Sequence, residues 1–184
     1  MKILLLGKNG QLGKELDRNL AQIGNLTSLC RLDVDITHFD IIKNYIQKME
    51  PDVIVNAAAY TNVDSAETAK AMAYKVNSHA VLNLAKACKE NDIWLIHYST
   101  DYVFDGKKTS PYTEIHKTSP INTYGESKLQ GEEAIKQMGC KNLIFRTTWA
   151  IGKDGKNFAK TMLNLAKSRD SLSVIDDQIG VPTT

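Results

Sequence analysis

The feature that most constrains this chain is an alternation of short apolar runs with longer segments of helical period. The first run is Met1–Leu6. Gln11 to about Ile23 then carries helical spacing, and Leu26–Leu29 is a weak second run. Phe39 to Met49 is helical and closes at Pro51, before a strong third run at Asp52–Ala58. Asp64 to Asn91 is a long Ala-rich helical stretch, followed by Ile93–Ser99. Ser119–Gly139 is helical, Leu143–Thr147 is a fifth strand, Asn157–Ser168 a further helix and Leu172–Ile175 a sixth strand. Strands separated by helices of this length need crossover connections, so they lie parallel. Near-continuous apolar strands suit a sheet covered on both faces. The expectation is an α/β fold: a Rossmann-like doubly wound parallel sheet in a three-layer sandwich, forming one domain over residues 1–184.

The bulk composition excludes several classes. A formal net charge of +2 is too small to favour nucleic acid or an acidic membrane surface, and the lysines form no basic tract. The opening MKILLLGKNG has too short an apolar run for a signal peptide, and no stretch approaches the length that crosses a membrane. Cys30, Cys88 and Cys140 lie far apart, odd in number and without metal-site spacing. They read as reduced thiols of a cytoplasmic protein, and no metal site is expected.

The first strand runs directly into Gly7-Lys8-Asn9-Gly10-Gln11-Leu12-Gly13. Gly7 allows a tight turn, Gly10 clears space where a pyrophosphate approaches the backbone, and Gly13 lets helix and strand pack closely. The free N–H groups at the helix start then favour an anion. Such folds usually place a carboxylate after the second strand, on the ribose hydroxyls. Here Cys30-Arg31 stands there, and a guanidinium suits a 2′-phosphate, which points to NADPH over NADH. Asp33 and Asp35 are the alternative acidic candidates, and Asp35-Ile36 is better placed for the adenine edge.

Ser99-Thr100-Asp101 ends the fourth strand, and Tyr124 and Lys128 follow on the next long helix. Residues four apart share a helix face. A cation near the phenol is expected to lower its pKa from about 10, making Tyr124 a general acid for carbonyl reduction. Thr100 is suited to hydrogen-bond the same carbonyl oxygen. The polar loop Phe104–Thr118, with Gly106 and Pro111, is expected at the carboxyl ends of the strands, facing a substrate.

The stretches GKNGQLG (7–13), DVIVNAAAYTNVDSAE (52–67), HYSTDYVFDG (97–106), SPINTYGESKLQGE (119–132), RTTW (146–149), NFAKTMLNLAK (157–167) and DQIGVPTT (177–184) carry a resemblance across essentially the whole chain. It is similar to the extended short-chain dehydrogenase/reductases and, within them, to the dTDP-4-dehydrorhamnose reductase family. The resemblance implies reduction of the 4-keto group of dTDP-4-dehydrorhamnose to dTDP-L-rhamnose with NADPH or NADH. Carried over residue by residue, it makes Tyr124 the proton donor, Lys128 its partner and Thr100 the carbonyl orienter. Gly10, Gln11 and Leu12 would line the pyrophosphate, and Asp35 and Ile36 meet the adenine. Ala59, Tyr60 and Thr61 run beside ribose and nicotinamide, and Tyr98, Tyr124 and Lys128 also contact the cofactor. Thr100, Asp101 and Trp149 would touch the sugar nucleotide. The family continues for roughly 100 further residues that build most of the sugar-nucleotide lobe, so that lobe is largely missing here. The resemblance admits a homodimer, and Mg2+, for which this chain offers no site. Two other readings stand beside it. One is a non-catalytic NADP-binding regulatory subunit, like that of methionine adenosyltransferase. The other is another sugar-nucleotide epimerase, dehydratase or reductase.

Overall fold

A computed structural model describes residues 1–184. The chain runs β1 (Lys2–Leu6), α1 (Gln11–Leu20), β2 (Asn25–Leu29), α2 (Phe39–Met49), β3 (Val53–Asn56), α3 (Val63–Thr68) and α4 (Lys70–Tyr74). A π-helical turn (Lys75–His79) leads into α5 (Ala80–Glu90), and β4 (Trp94–Thr100) ends in a 3-10 turn (Asp101–Val103). The last elements are α6 (Thr123–Met138), β5 (Asn142–Thr147) and α7 (Phe158–Leu165). All pairings are parallel, in the order β2-β1-β3-β4-β5. The chain reverses direction between β1 and β3, the switch point where open α/β sheets bind ligands.

The two sheet faces draw on alternate residues of the strands. Leu4, Leu6, Ile54 and Leu95 join an 18-residue cluster with Ile42 and Ile46 of α2, Leu84 of α5 and Ile135 of α6. On the other face Ile3, Leu5 and Val55 form a cluster of 3, packed by Leu16 and Leu20 of α1. The three layers are present, but the α1 layer is thin, and α7 buries no residue.

Several boundaries differ from expectation. The helix expected to reach Ile23 stops at Leu20, because residues 21–23 tighten into i→i+3 turns. They deliver the Asn25 N–H to the Met1 carbonyl, 2.9 Å away. The final helix likewise ends at Leu165 in such turns. Helix α6 begins at Thr123, not Ser119, where the Asn122 side chain accepts from Gly125 N–H at 2.8 Å. The stretch Asp64–Asn91 is not one helix. It breaks at Ala69 and widens into the π turn, where buried Asn77 is gripped from two sides. Leu172–Ile175 forms no strand; it finds no pairing partner. The chain's end supplies a parallel bridge instead, Ala150 to Thr183.

Candidate active site

Gly7 leaves β1 at φ 89°, and a Cβ there would lie 2.7 Å from the Ala58 nitrogen. A Cβ on Gly13 would lie 2.0 Å from the Gly7 carbonyl oxygen, so no side chain fits the strand–helix contact. Gly10 differs: its Cβ would meet only the Gly7 carbonyl oxygen at 3.4 Å, an ordinary contact. Folding therefore does not demand glycine at that position, and it is left bare toward the cleft. Gly10 is also the N-cap of α1, with no side-chain cap and no acidic residue in the first turn. The helix start keeps free N–H groups and positive dipole character.

A cleft of about 310 Å3 opens here, walled by Gly7, Asn9 and Gly10 on one side and by Ala57 to Tyr60 on another. Arg31, Leu32, Asp35 and Ile36 form its third wall, and Met72 and Val76 close over it. Arg31 is largely exposed, with Nε 3.4 Å from Asp35 Oδ2. Burial acts to raise the Asp35 carboxyl, but the hydrogen bonds from Thr37 with the Arg31 and His38 charges together outweigh it and hold the pKa down. Asp33 is committed elsewhere. It accepts from Cys30 N–H at 2.8 Å and pairs with Lys8 at 3.2 Å, holding its pKa at about 2. Gln11, Leu12, Gly13 and Thr61 are not cleft walls. The Gln11 side chain donates to the Ala150 carbonyl at 2.6 Å, facing the 150–157 segment.

Beyond the cleft lies the carboxyl end of β4. Buried Thr100 donates to Asp101 Oδ1 at 3.1 Å and accepts from Tyr102 N–H at 3.2 Å. Half-buried Tyr124 lies edge-on to Tyr102, with ring centroids 5.7 Å apart. The expectation that Lys128 lowers the Tyr124 pKa is corrected. Burial raises it, with Asp101 and Tyr102 adding to the effect and the Thr100 hydroxyl opposing it. Lys128 is turned elsewhere: its Nζ donates to the Tyr98 carbonyl at 2.6 Å and lies 3.4 Å from His97 Nε2. Burial pulls Lys128 down to about 8, partly opposed by Glu132. The Tyr98 ring lies on the opposite face of β4, tilted against Phe145. Trp149 is exposed, at φ 41°, beside Gly180. The loop after β4 folds onto itself, with Phe104 stacked on Tyr112 at 4.2 Å and the Tyr112 hydroxyl donating to Asp105 at 2.6 Å. No group of three or more His, Cys, Asp or Glu is placed to hold a metal ion.

The family profile described as the RmlD substrate binding domain matches residues 1–184. The chain belongs to this family. It is 50% identical over 190 residues to the dTDP-4-dehydrorhamnose reductase of Shigella flexneri, covering 100% of this chain and 62% of that protein. The Escherichia coli K12 enzyme of the same name is 48% identical, again with 62% of its length covered. Among solved structures, the Bacillus anthracis dTDP-4-dehydrorhamnose reductase in complex with NADP superposes at TM-score 0.96. It has 40% identity and covers 99% of this chain and 65% of that one. Thermus thermophilus UDP-glucose 4-epimerase, at 20% identity and TM-score 0.79, shares the fold. This family member thus spans about 62% of the length of the curated relatives it matches.

Three positioning residues of this member had no local signal. Glu67 accepts from Thr123 N–H and hydroxyl at 2.7 and 2.8 Å, tethering α3 to the start of α6. Asn77 accepts from Tyr60 N–H at 2.8 Å and donates to the Tyr60 carbonyl and to Ser127, both at 3.0 Å. His97 is fully enclosed beneath Lys128. Their partners lie tens of residues away, beyond any helical or strand period. Met72 and Val76 escape for a related reason: the break at Ala69 that swings them over the cleft has no glycine or proline to announce it.

Proposed function

We propose that residues 1–184 are the NAD(P)-binding Rossmann domain of a cytoplasmic reductase that converts dTDP-4-dehydrorhamnose to dTDP-L-rhamnose. The remaining substrate lobe would be supplied by the segment that relatives carry beyond the matched length, and a homodimer is compatible with that lobe. What carries the reading is one juxtaposition. Thr100 ends β4, Lys128 Nζ is bonded to the Tyr98 carbonyl of the same strand, and Tyr124 stands one turn before Lys128 on α6, in a chain that also has a cleft walled by Gly7, Gly10 and Arg31 and is about half identical to named reductases.

The cleft residues fit a dinucleotide. Bare Gly10 and the uncapped start of α1 suit a pyrophosphate. Asp35 and Ile36 suit the adenine side, and Ala59, Tyr60 and Thr61 the ribose and nicotinamide. Exposed Arg31 suits a 2′-phosphate and so favours NADPH. When bound, the nicotinamide supplies the hydride. The chain's own residues do the rest. Tyr124, kept protonated by its burial, gives its proton to the carbonyl oxygen. Thr100 orients that oxygen by turning its hydroxyl from Asp101. Lys128, one turn along α6, balances the phenolate left on Tyr124. Asp101 and Trp149 would face the sugar nucleotide.

The test is NADPH oxidation with the 4-keto-6-deoxy sugar nucleotide, on this chain and on one extended to the relatives' length. Tyr124→Phe in the extended chain is expected to lose about 10²–10⁴-fold in turnover while keeping NADPH affinity. Undiminished reduction by that variant would reject the mechanism.

A further inference from the structure

Beneath Lys128 lies a line of buried polar groups that the reductase reading does not use. Asn56, at the end of β3, and His97, in β4, are 1% and 0% exposed. Asn56 Oδ1 accepts from Ala58 N–H at 3.1 Å, and Asn56 Nδ2 lies 3.2 Å from His97 Nδ1. His97 Nε2 then lies 3.4 Å from Lys128 Nζ, which donates to the Tyr98 carbonyl. Ala58 itself walls the cleft.

We propose that Asn56 and His97 form a one-way hydrogen-bond relay that positions Lys128 and sets its protonation. The direction follows from the backbone. A peptide N–H only donates, so Ala58 holds the oxygen of the Asn56 amide and turns its NH2 toward His97. His97 Nδ1 must therefore accept. A neutral imidazole carries one proton, which then sits on Nε2 and faces Lys128. Full burial keeps His97 neutral, its pKa well below the ordinary value. With an amine at Lys128 each successive link runs from a donor to an acceptor, from Ala58 through to the Tyr98 carbonyl. With an ammonium, His97 Nε2–H and Lys128 N–H point at each other. The relay thus opposes charge on Lys128 by a mechanism separate from burial. Lys128 holds its proton more firmly when a negative charge forms nearby, as when Tyr124 becomes a phenolate.

The other ionisable groups around Lys128 do not undo this. Glu132, on the same helix, accepts two hydrogen bonds from Arg146 of β5, at 2.9 and 2.7 Å. Lys136 is 3.7 Å from the same carboxylate. Tyr98 and Tyr124 both carry pKa values raised first of all by burial, so they stay neutral beside it.

The value of the relay to turnover rests on the reductase reading, but the relay itself is measured on the unliganded chain. Two-bond 15N–1H correlation on 15N-histidine protein, with His97 assigned by its loss in His97→Gln, reads the tautomer directly. The expected result is a protonated Nε2 and a bare Nδ1 at neutral pH. A protonated Nδ1, or an imidazolium, overturns the proposal. Lysine 13Cε titration then follows Lys128. Asn56→Asp reverses the tautomer and is expected to raise the Lys128 midpoint by at least about one pH unit, a tenfold gain in proton affinity. Asn56→Leu adds no charge and should move the midpoint the same way by a smaller step. A shift in Asn56→Asp alone would reduce the effect to added charge and overturn the relay. Absence of reductase activity in the extended chain, with these signals intact, would reject the reductase reading and leave the relay standing.

Discussion

On the face covered by α2, α5 and α6, leucine and isoleucine side chains from every layer are enclosed, and even Lys128, His97 and Glu132 are out of reach of water. On the face covered by α1, enclosure fades from β1 toward β5. Ile3 and Leu5 are buried, Ile96 and Tyr98 half-buried, and Leu143 and Phe145 are 48% and 45% exposed. Alternate residues of one strand therefore live in different surroundings. In β5, Arg146 reaches the buried Glu132, whereas its neighbour Phe145 meets solvent. The difference shows where stability resides: the closed face holds charged groups in a fixed setting, and the open face contributes little.

The widest separation between the faces is expected from two leucines. Leu84→Ala in α5 should cost about 2–5 kcal/mol, the range for a truncation that leaves a cavity in an enclosed core. Leu143→Ala should stay within about 0.5 kcal/mol. Urea midpoints at constant slope measure both, and equal losses would erase the contrast.

Glu132→Gln comes next. It strips the carboxylate from Arg146 inside the closed face, at roughly 1.5–3 kcal/mol. Burial acts to raise the Glu132 pKa, but Arg146, with Ser99 and Lys136, outweighs it and the folded value is lowered. The contribution is therefore fully present above the ordinary value of 4.5 and is lost as pH falls through the folded value. Wild type should weaken on acidification in that window more steeply than the variant, in denaturation run from pH 6 downward.

Lys128 gives an effect of the same sense in a higher pH window. Its folded pKa, about 8, lies below the ordinary 10.5, so the unfolded chain binds more protons between those values. Stability attributable to Lys128 should rise with pH across that window. Lys128→Met should flatten the rise, as read from chemical denaturation at successive pH values. The smallest expected effect belongs to the open face. Leu143→Ser with Phe145→Ser should leave the urea midpoint nearly unchanged while lowering binding of a hydrophobic dye.

The same contrast explains what could be read from the residues alone. Helix α2 begins and ends where its apolar spacing and Pro51 say it should, because local pattern and tertiary packing agree there. The pair Tyr124 and Lys128 was visible because four-residue spacing is a helical property. The direction of the Tyr124 pKa was not, since burial depends on the whole layer above the sheet. The break at Ala69 and the π turn answer to the distant partners of Asn77, and Leu172–Ile175 has strand composition without a strand to pair with. Local chemistry announced the residues; enclosure decided their state.

The order β2-β1-β3-β4-β5 has a temporal consequence. Once β1 and β2 are paired, each later strand leaves the ribosome to find its neighbour already at the open edge: β3 beside β1, β4 beside β3, β5 beside β4. No strand must wait for one synthesised after it, and none must be threaded between two that are already joined. Elongation at about 5–20 residues per second leaves seconds between successive strands. This order lets the sheet assemble outward as it is translated, with the groups around Lys128 completed only once α6 and β5 have been synthesised.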